Sequence, residues 1–330
     1  MLLEWLQSRL DGEELQLSPA SGDASFRRYW RLPHRGGTLI AVDAPPQTEN
    51  STAFVRLAHA LGAAGLTVPE IVAEDSDRGF LLVADLGQRL YLDHLTADNA
   101  DRLYGDAIAA LIAMQTAGPQ DGLPDYDAAF LRRELSIFDQ WLLQGLLGLE
   151  LDEAERGMLD RVYASLLGNA LAQPRVCVHR DFHSRNLMLT ATGNPGILDF
   201  QDAVIGPVTY DLVSLLKDCY IDWPRERVLD WAGGYFDLAL QSGVLRQAQE
   251  SSFLTWFDLM GVQRHLKAAG IFARLALRDG KRGYLPYQPR TLGYVLALRG
   301  LYPVLDPLLD FLDRRVMPAL DPVLRETASG

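Results

Sequence analysis

The sequence predicts an α+β protein built as two lobes, a small β-rich N-lobe and a large, mainly helical C-lobe. Three observations predict it. Up to about residue 88, short apolar runs alternate with turn residues, as the strands of a small sheet do. Beyond Gly87, apolar residues recur with helical spacing as far as residue 278. Two further strand-like runs interrupt that helical half, and both lead into Asp residues. The expected domains are residues 1–88 and residues 89–330.

In the N-terminal region, LQLSPA, SFRRYWRL, TLIAVDA and GFLLVADL each have the length and apolar content of a strand. Between the third and fourth lies NSTAFVRLAHALGAAGL. It opens on Asn50, Ser51 and Thr52, which can cap orphan backbone N–H groups, spaces its apolar residues as a helix does, and closes at Gly65. Strands and a single helix are therefore expected here. Val83-Ala84-Asp85-Leu86-Gly87 is the expected hinge. Beyond the hinge the periodicity predicts helices over roughly 99–115, 129–147, 151–170, 208–220, 225–242 and 252–278, with short strands at RVCVH and GILDF. There is no internal repeat and no low-complexity linker.

With 330 residues at 48% hydrophobic, the chain can bury a sizeable core. Its formal charge of −12 disfavours nucleic-acid binding, which needs a cationic face to release counterions. The N-terminus MLLEWLQSRL lacks the basic and apolar regions of a signal peptide, and no apolar run is long enough to span a bilayer. Cys177 and Cys219 stand in apolar settings and read as buried thiols of a reducing compartment. A cytoplasmic protein with no nucleic-acid or membrane partner is expected, and nothing calls for an obligate protein partner.

The chemistry is concentrated in VCVHRDFHSRNLMLT, residues 176–190, where His-Arg-Asp is followed by four residues and an Asn. Asp199 follows at the end of PGILDF. That spacing is the one kinases use for their catalytic loop and metal-binding Asp. A carboxylate to accept a hydroxyl proton and hard oxygen ligands for Mg²⁺ bridging the phosphates of ATP are what phosphoryl transfer requires. The same letters allow another reading, since His179, Asp181 and His183 form H-x-D-x-H, which could converge on Zn²⁺ or Mn²⁺ in a metallohydrolase. The other four histidines, 34, 59, 94 and 265, supply no second ligand cluster.

HRDFHSRNL, ILDFQDAVIGPVTYDLVSLL and the DLG at 85–87 together resemble the aminoglycoside phosphotransferase/choline kinase family, small-molecule relatives of the protein kinases, over nearly the whole chain. The resemblance implies a bilobal protein-kinase-like fold with ATP and Mg²⁺ as cofactors. It implies Asp181 as catalytic base, Asn186 and Asp199 as magnesium ligands, and Asp211 as a buried carboxylate bracing the catalytic loop. His179 is then structural, while His183 and Arg185 are placed near the acceptor beside Asp181. SGDASFRRYWR, IAVDAPP and WFDLMGVQRHLKAAGIFARL are similar to the branch of that family whose members phosphorylate the 1-hydroxyl of N-acetylmuramate and N-acetylglucosamine. That branch implies an amino-sugar acceptor and a place in peptidoglycan recycling towards UDP-N-acetylmuramate.

One expected group is missing. No lysine precedes Lys217, and the strand position that carries the phosphate-binding lysine in protein kinases matches Asp43. An aspartate would repel phosphate. The neighbouring cations are Arg27, Arg28 and Arg31, which follow the presumed nucleotide loop from Ser21 to Ser25. Strand alternation sets Phe26, Arg28 and Trp30 on one face and Arg27, Tyr29 and Arg31 on the other. Arg28 is favoured for its planar fork, with Gly22, Ser25 and Phe26 beside it and the hinge residues Ala84, Asp85 and Leu86 reading the purine. The absent lysine also leaves room for a nucleotide-binding pseudokinase, against which the joint presence of Asp181, Asn186 and Asp199 counts.

For the acceptor, residues 264–299 carry eight basic side chains against the single acid Asp279, a net +7 inside a chain of −12. In a family whose acceptor site is walled by C-terminal helices, this favours a neutral or anionic acceptor over an aminoglycoside or choline. Arg264, His265 and Lys267 are the candidates for reaching it.

Overall fold

The structure is a computed structural model that describes residues 1–10, 15–21 and 27–329. The chain packs as two compact units, residues 1–123 with 184–203, and residues 124–183 with 204–330. The change of texture at residue 88 marks where the strands end, whereas the packing keeps 89–123 and the segment 184–203 with the sheet.

The first unit is built on a five-stranded antiparallel sheet in the order β1-β2-β3-β5-β4. Its strands are β1 (Ser18–Ser21), β2 (Arg28–His34), β3 (Gly37–Asp43), β4 (Ile71–Asp75) and β5 (Phe80–Ala84). Alternation gives the sheet two apolar faces. Leu32, Ala41, Phe80 and Leu82, with Trp30 and Leu39, pack under Trp5 and Leu6 of α1 (Leu2–Arg9). On the other face Val42, Leu81 and Val83, with Tyr29 and Ile40, pack against Phe54 and Val55 of α2 (Ser51–Ala63). The Asn50 side chain caps α2 by accepting the Ala53 N–H at 3.0 Å. The unit also holds α3 (Tyr91–His94), α4 (Ala100–Ala117) and a short hairpin inside 184–203.

Apolar patterning predicts a single helix and four strands up to residue 88, and the fold adds two elements there. They are α1, an eight-residue helix with Glu4 and polar residues among its few apolar ones, and β4, whose IVAED carries two acids in five residues. Burial of Trp5 and Leu6 against the sheet stabilises α1, a fully covered large apolar side chain contributing about 1.5–3 kcal/mol, while β4 is held by its ladder with β5, with Ile71 and Ala73 half-buried.

The second unit is mainly helical: α5 (Ala128–Ile137), α6 (Glu153–Leu171), α7 (Tyr210–Leu216), α8 (Arg225–Gln241), α9 (Glu250–Arg278), α10 (Gln288–Leu296), α11 (Asp306–Phe311) and α12 (Met317–Ser329). The helix predicted over 129–147 is α5 continued by a π-helical stretch, Phe138–Leu146. An Asp152/Glu155 capping box starts α6. The core joins Phe138, Leu142 and Leu143 to Leu159, Val162 and Leu166 of α6, to Leu266 and Ala273 of α9, and to Leu308 and Leu312 near α11. At Gly270, α9 comes so close to the end of α5 that a Cβ would lie 2.5 Å from the Ile137 carbonyl carbon, so only glycine permits the approach. No element is predicted beyond residue 278, where α10 and α11 are short and open on Pro289 and Pro307 and α12 contains Pro322. A two-stranded ribbon, β6 (Arg175–Val178) paired with β9 (Val204–Pro207), completes the unit. Both cysteines are free and buried. Among the described residues no helix is long and apolar enough to cross a membrane.

Candidate active site

In the first unit the candidate metal ligands flank the hairpin of β7 (Leu187–Met188) and β8 (Gly196–Ile197), in which Leu187 pairs with Ile197. One step further, the Leu198 N–H donates to the Asn186 carbonyl at 2.9 Å, so Asn186 and Asp199 emerge at the same end. Asp199 adopts a left-handed φ of 62°, which Asp tolerates better than most side chains and which ends the strand sharply. Its Oδ1 accepts from Gln201 Nε2 at 2.6 Å. The hairpin is tied to the hinge side, since the Leu189 N–H donates to the Arg89 carbonyl at 2.7 Å and the Ile197 N–H to the Thr67 carbonyl at 2.8 Å. Phe200, the next residue, stacks on Phe54 of α2 with centroids 4.8 Å apart. A carboxylate and an amide at the same end of the hairpin offer hard oxygen ligands. They suit Mg²⁺, which takes few protein ligands and completes its shell with water and phosphate.

The hinge is braced by side chains. Asp85 accepts from Arg31 Nε at 2.5 Å, from Arg31 Nη2 at 3.1 Å, from Thr38 Oγ1 at 2.7 Å and from the Gly87 N–H at 2.9 Å. Arg31 Nη2 also donates to the Gly87 carbonyl at 2.9 Å. Burial would raise the Asp85 carboxyl, but these bonds and the Arg31 charge hold it below its ordinary value. Gly87 itself needs a φ of 101°. Asp85, Leu86 and Gly87 line a cavity of about 280 Å³ with Thr67, Gln88 and Thr192.

In the second unit, Asp181 follows β6. Buried Asp211 accepts the His179 N–H at 2.6 Å and the Arg180 N–H at 2.9 Å, fixing the loop backbone, with Arg180 at a left-handed φ of 79°. His179 Nδ1 accepts the Asp181 N–H at 3.2 Å. Burial pushes the Asp211 carboxyl up to about 6, against the lowering effect of His179 and the two N–H donors. For Asp181 the balance runs the other way. Burial alone would raise it, but the charges of Lys267, His183, Arg180 and Arg264 hold it at about 2. His183 is buried edge-on to Tyr220 at 5.5 Å, and its Nδ1 has no hydrogen-bond partner among the described residues. Burial lowers its pKa although Asp218 and Asp181 oppose the shift.

Two of the three acceptor candidates on α9 join this group. Lys267 Nζ lies 3.0 Å from Glu134 Oε1 and donates to the Tyr210 hydroxyl at 3.0 Å, while Arg264 Nη1 reaches Cys219 Sγ at 3.5 Å. His265 does not join. Its Nε2 meets the Lys217 carbonyl at 2.8 Å, its ring stacks on Tyr294, and burial with Arg264 nearby drives its pKa down to about 3. Arg290, from the same cationic stretch, lines a cavity of about 380 Å³ with Lys217, Trp223, Arg225 and Tyr294. Arg185 is half-buried at the start of the first unit's hairpin segment. Gly22, Ser25 and Phe26 lie outside the described residues. Arg28, the favoured phosphate ligand, is 65% exposed with Nη2 on Asp43 at 2.5 Å.

Sequence reasoning passed over Glu134, the buried carboxylate that takes Arg180 at 2.6 Å, Lys267 and the Tyr126 hydroxyl. A signal existed, because Glu134 interrupts the apolar face that Leu131, Leu135 and Phe138 trace along the helix. Among the described residues no group of three or more His, Cys, Asp or Glu converges as a metal cage would need, and H-x-D-x-H makes none.

A profile of the phosphotransferase enzyme family matches residues 16–250. A Pseudomonas putida protein named N-acetylmuramate/N-acetylglucosamine kinase is 49% identical over 292 residues, covering 88% of this chain and 86% of its own. A Neisseria meningitidis protein of the same name is 40% identical, covering 93% and 92%. Among solved structures, a Plasmodium vivax ethanolamine kinase superposes with a TM-score of 0.65 at 10% identity, covering 88% of this chain and 85% of that one. An ADP-bound aminoglycoside phosphotransferase APH(2'')-Ib gives 0.56 at 16%, covering 89% and 96%. At such identities these two likenesses show the fold, which is the α+β protein-kinase-like one.

Proposed function

This chain belongs to the phosphotransferase enzyme family and is a kinase, and from that premise we propose that it phosphorylates the anomeric 1-hydroxyl of N-acetylmuramate and N-acetylglucosamine with ATP and Mg²⁺. The relatives that carry those two sugars in their name match the chain at up to 49% identity. The observation that carries the reading within the molecule is the cationic setting of Asp181, where Lys267, Arg180 and Arg264 stand around it. Such a setting favours a neutral or carboxylate-bearing sugar and disfavours the cations taken by choline or aminoglycoside kinases.

In the reaction the sugar O1 attacks the γ-phosphorus, the O1–P bond forms as the bond to the ADP oxygen breaks, and the O1 proton passes to Asp181. A carboxylate held at about 2 is a weak base. It accepts the hydroxyl hydrogen bond from the outset and takes the proton only as O1 loses charge to phosphorus, so alignment is its larger contribution. An anomeric hydroxyl is more acidic than an ordinary alcohol, which suits a base of this kind. Asn186 and Asp199 would hold Mg²⁺, which supplies charge neutralisation at the phosphates when bound. Asp211 keeps the loop in register, and Glu134 keeps Arg180 and Lys267 in place. The sugar 1-phosphate is the form a nucleotidyltransferase consumes, in keeping with a cytoplasmic recycling route towards UDP-N-acetylmuramate.

The test is to incubate the protein with ATP, Mg²⁺ and a panel of N-acetylmuramate, N-acetylglucosamine, their 1-O-methyl glycosides, choline and an aminoglycoside. The expected result is a sugar monophosphate by mass spectrometry, an anomeric phosphate by ³¹P NMR, and no product from the glycosides. Phosphorylation of choline or the aminoglycoside in preference to both sugars would reject the reading.

A further inference from the structure

We propose that Arg27, positioned by Glu49, takes the phosphate-binding place left by the missing lysine, and that Arg28 does not. The proposal rests on the kinase reading above and names the cation that reading lacks.

The two faces of the sheet separate the candidates. Arg28 is paired in register with Asp43, and the two share the face of Trp30, Leu39 and Ala41 that packs on α1. Their ion pair is largely exposed, with Arg28 at 65%. Asp43 therefore points away from α2, and the sequence position matched to the kinase lysine is on the opposite side from α2. Arg27, one residue before β2, follows the alternation of Tyr29 to the α2 face. There its Nη2 meets Glu49 Oε2 at 2.9 Å, with only 7% and 12% of the two side chains exposed. Glu49 is fixed in turn, because its N–H donates to the Pro45 carbonyl at 2.9 Å immediately before the α2 cap Asn50.

The place of this pair is set by a second contact. Phe54 in the first turn of α2 stacks on Phe200, the residue after Asp199. The N-terminal end of α2 and the segment that carries Asp199 are thus joined, and the Asp199 and Glu49 carboxylates are the charges that act on Arg27. In protein kinases a lysine paired with a helix glutamate holds the phosphates beside the metal-binding Asp. A largely buried arginine paired with a fixed glutamate on the helix side of the sheet supplies the same charge with a planar fork that matches two phosphate oxygens. Glu49 is a positioning residue, since it reaches phosphate only through Arg27.

The experiment measures MgATP affinity by calorimetry without any sugar, and then KM for ATP, KM for the sugar and kcat. Arg27→Ala is expected to weaken MgATP by about tenfold or more, the usual loss for a charge-assisted hydrogen bond. Arg27→Lys should recover part of that loss. Glu49→Gln should raise KM for ATP in the same direction but less, with KM for the sugar unchanged, a split that general loosening would not give. Arg28→Ala should leave MgATP affinity within about twofold. Because Arg27→Ala takes the cation away from Glu49 in a largely buried place, the double variant Arg27→Ala/Glu49→Gln removes both charges and serves if the single one does not fold. The proposal is overturned if the folded double variant binds MgATP as the parent does, if Arg28→Ala causes the larger loss, or if the parent does not bind MgATP. A parent that binds MgATP yet phosphorylates no sugar would reject the proposed acceptor while the Arg27 comparison still decides this point.

Discussion

The hairpin bearing Asn186 and Asp199 and the loop bearing Asp181 are neighbours in sequence but are held by different physics. The hairpin is placed by main chain: Leu187 pairs with Ile197, the Leu198 N–H with Asn186, and the Leu189 and Ile197 N–H groups with the hinge side. The loop is placed by buried charge: Asp211 under its backbone, and Glu134, Arg180, Lys267 and Arg264 around it. Main-chain pairing fixes the position of the hairpin without drawing on buried side-chain charge. A charged network fixes position and also sets protonation. As proposed metal ligands, Asn186 and Asp199 need geometry alone, whereas Asp181 as the proposed base needs geometry and a defined proton state.

That difference is open to attack at graded points. Asp181→Asn keeps the shape of the loop and removes its proton acceptor, so kcat should fall by about 10³-fold while MgATP affinity measured by calorimetry changes little. A comparable loss of MgATP affinity would mean that the base side also holds nucleotide. Asp211→Ala removes the acceptor of two buried N–H groups and should cost roughly 2–5 kcal/mol in a denaturant titration, whereas Asp211→Asn, which keeps one oxygen, should cost less. Asp199→Asn should leave the melting temperature nearly unaltered, since main chain holds the hairpin and Asn tolerates the left-handed φ as Asp does, and should weaken Mg²⁺-dependent tightening of nucleotide by about 10–100-fold. Normal tightening in that variant would remove Asp199 from the metal site.

The smallest effect is the one that separates charge from geometry. Asp181 sits at about 2, below the ordinary carboxylate value, so it stays ionised and should give kcat no acid limb through the pH range in which the protein is assayed. Its charge contributes stability that is complete above the ordinary value and is lost as pH falls toward the folded value. Lys267 is the largest of the charges that lower it. Lys267→Met should therefore raise the Asp181 pKa, bring an acid limb into the kcat profile, and narrow the pH window of that stability. A variant profile that overlays the parent's would show that the remaining cations suffice.

The same contrast explains what the sequence revealed. Asp181, Asn186, Asp199 and Asp211 stand out as candidates because short loops and hairpins compress their geometry into fixed spacing. Helices from 99 to 278 were legible because most of them bury a periodic face, α7 being buried on all sides. The ion pairs Arg27–Glu49 and Arg180–Glu134 were not, since a charge on one element carries no mark of the charge it will meet on another. The face of the sheet on which Asp43 falls depended on packing against α1, a helix that propensity alone does not announce. His265 shows the converse: it lies between Arg264 and Lys267 in a cationic run, yet the 100° step of a helix turns it toward Tyr294.

The brace at the hinge carries a consequence for inhibition. Arg31, Thr38 and the Gly87 N–H all converge on Asp85, so the polar side chains of the hinge are spent on one another. With the purine read at the hinge, as we propose, a compound that imitates its edge would meet mainly main chain. Selectivity would have to be sought deeper in the 280 Å³ cavity, where Thr67, Gln88, Arg89 and Thr192 offer this chain's own side chains. A scaffold extended toward those four, with a plain hinge-binding edge, is the one expected to tell this kinase from its structural kin.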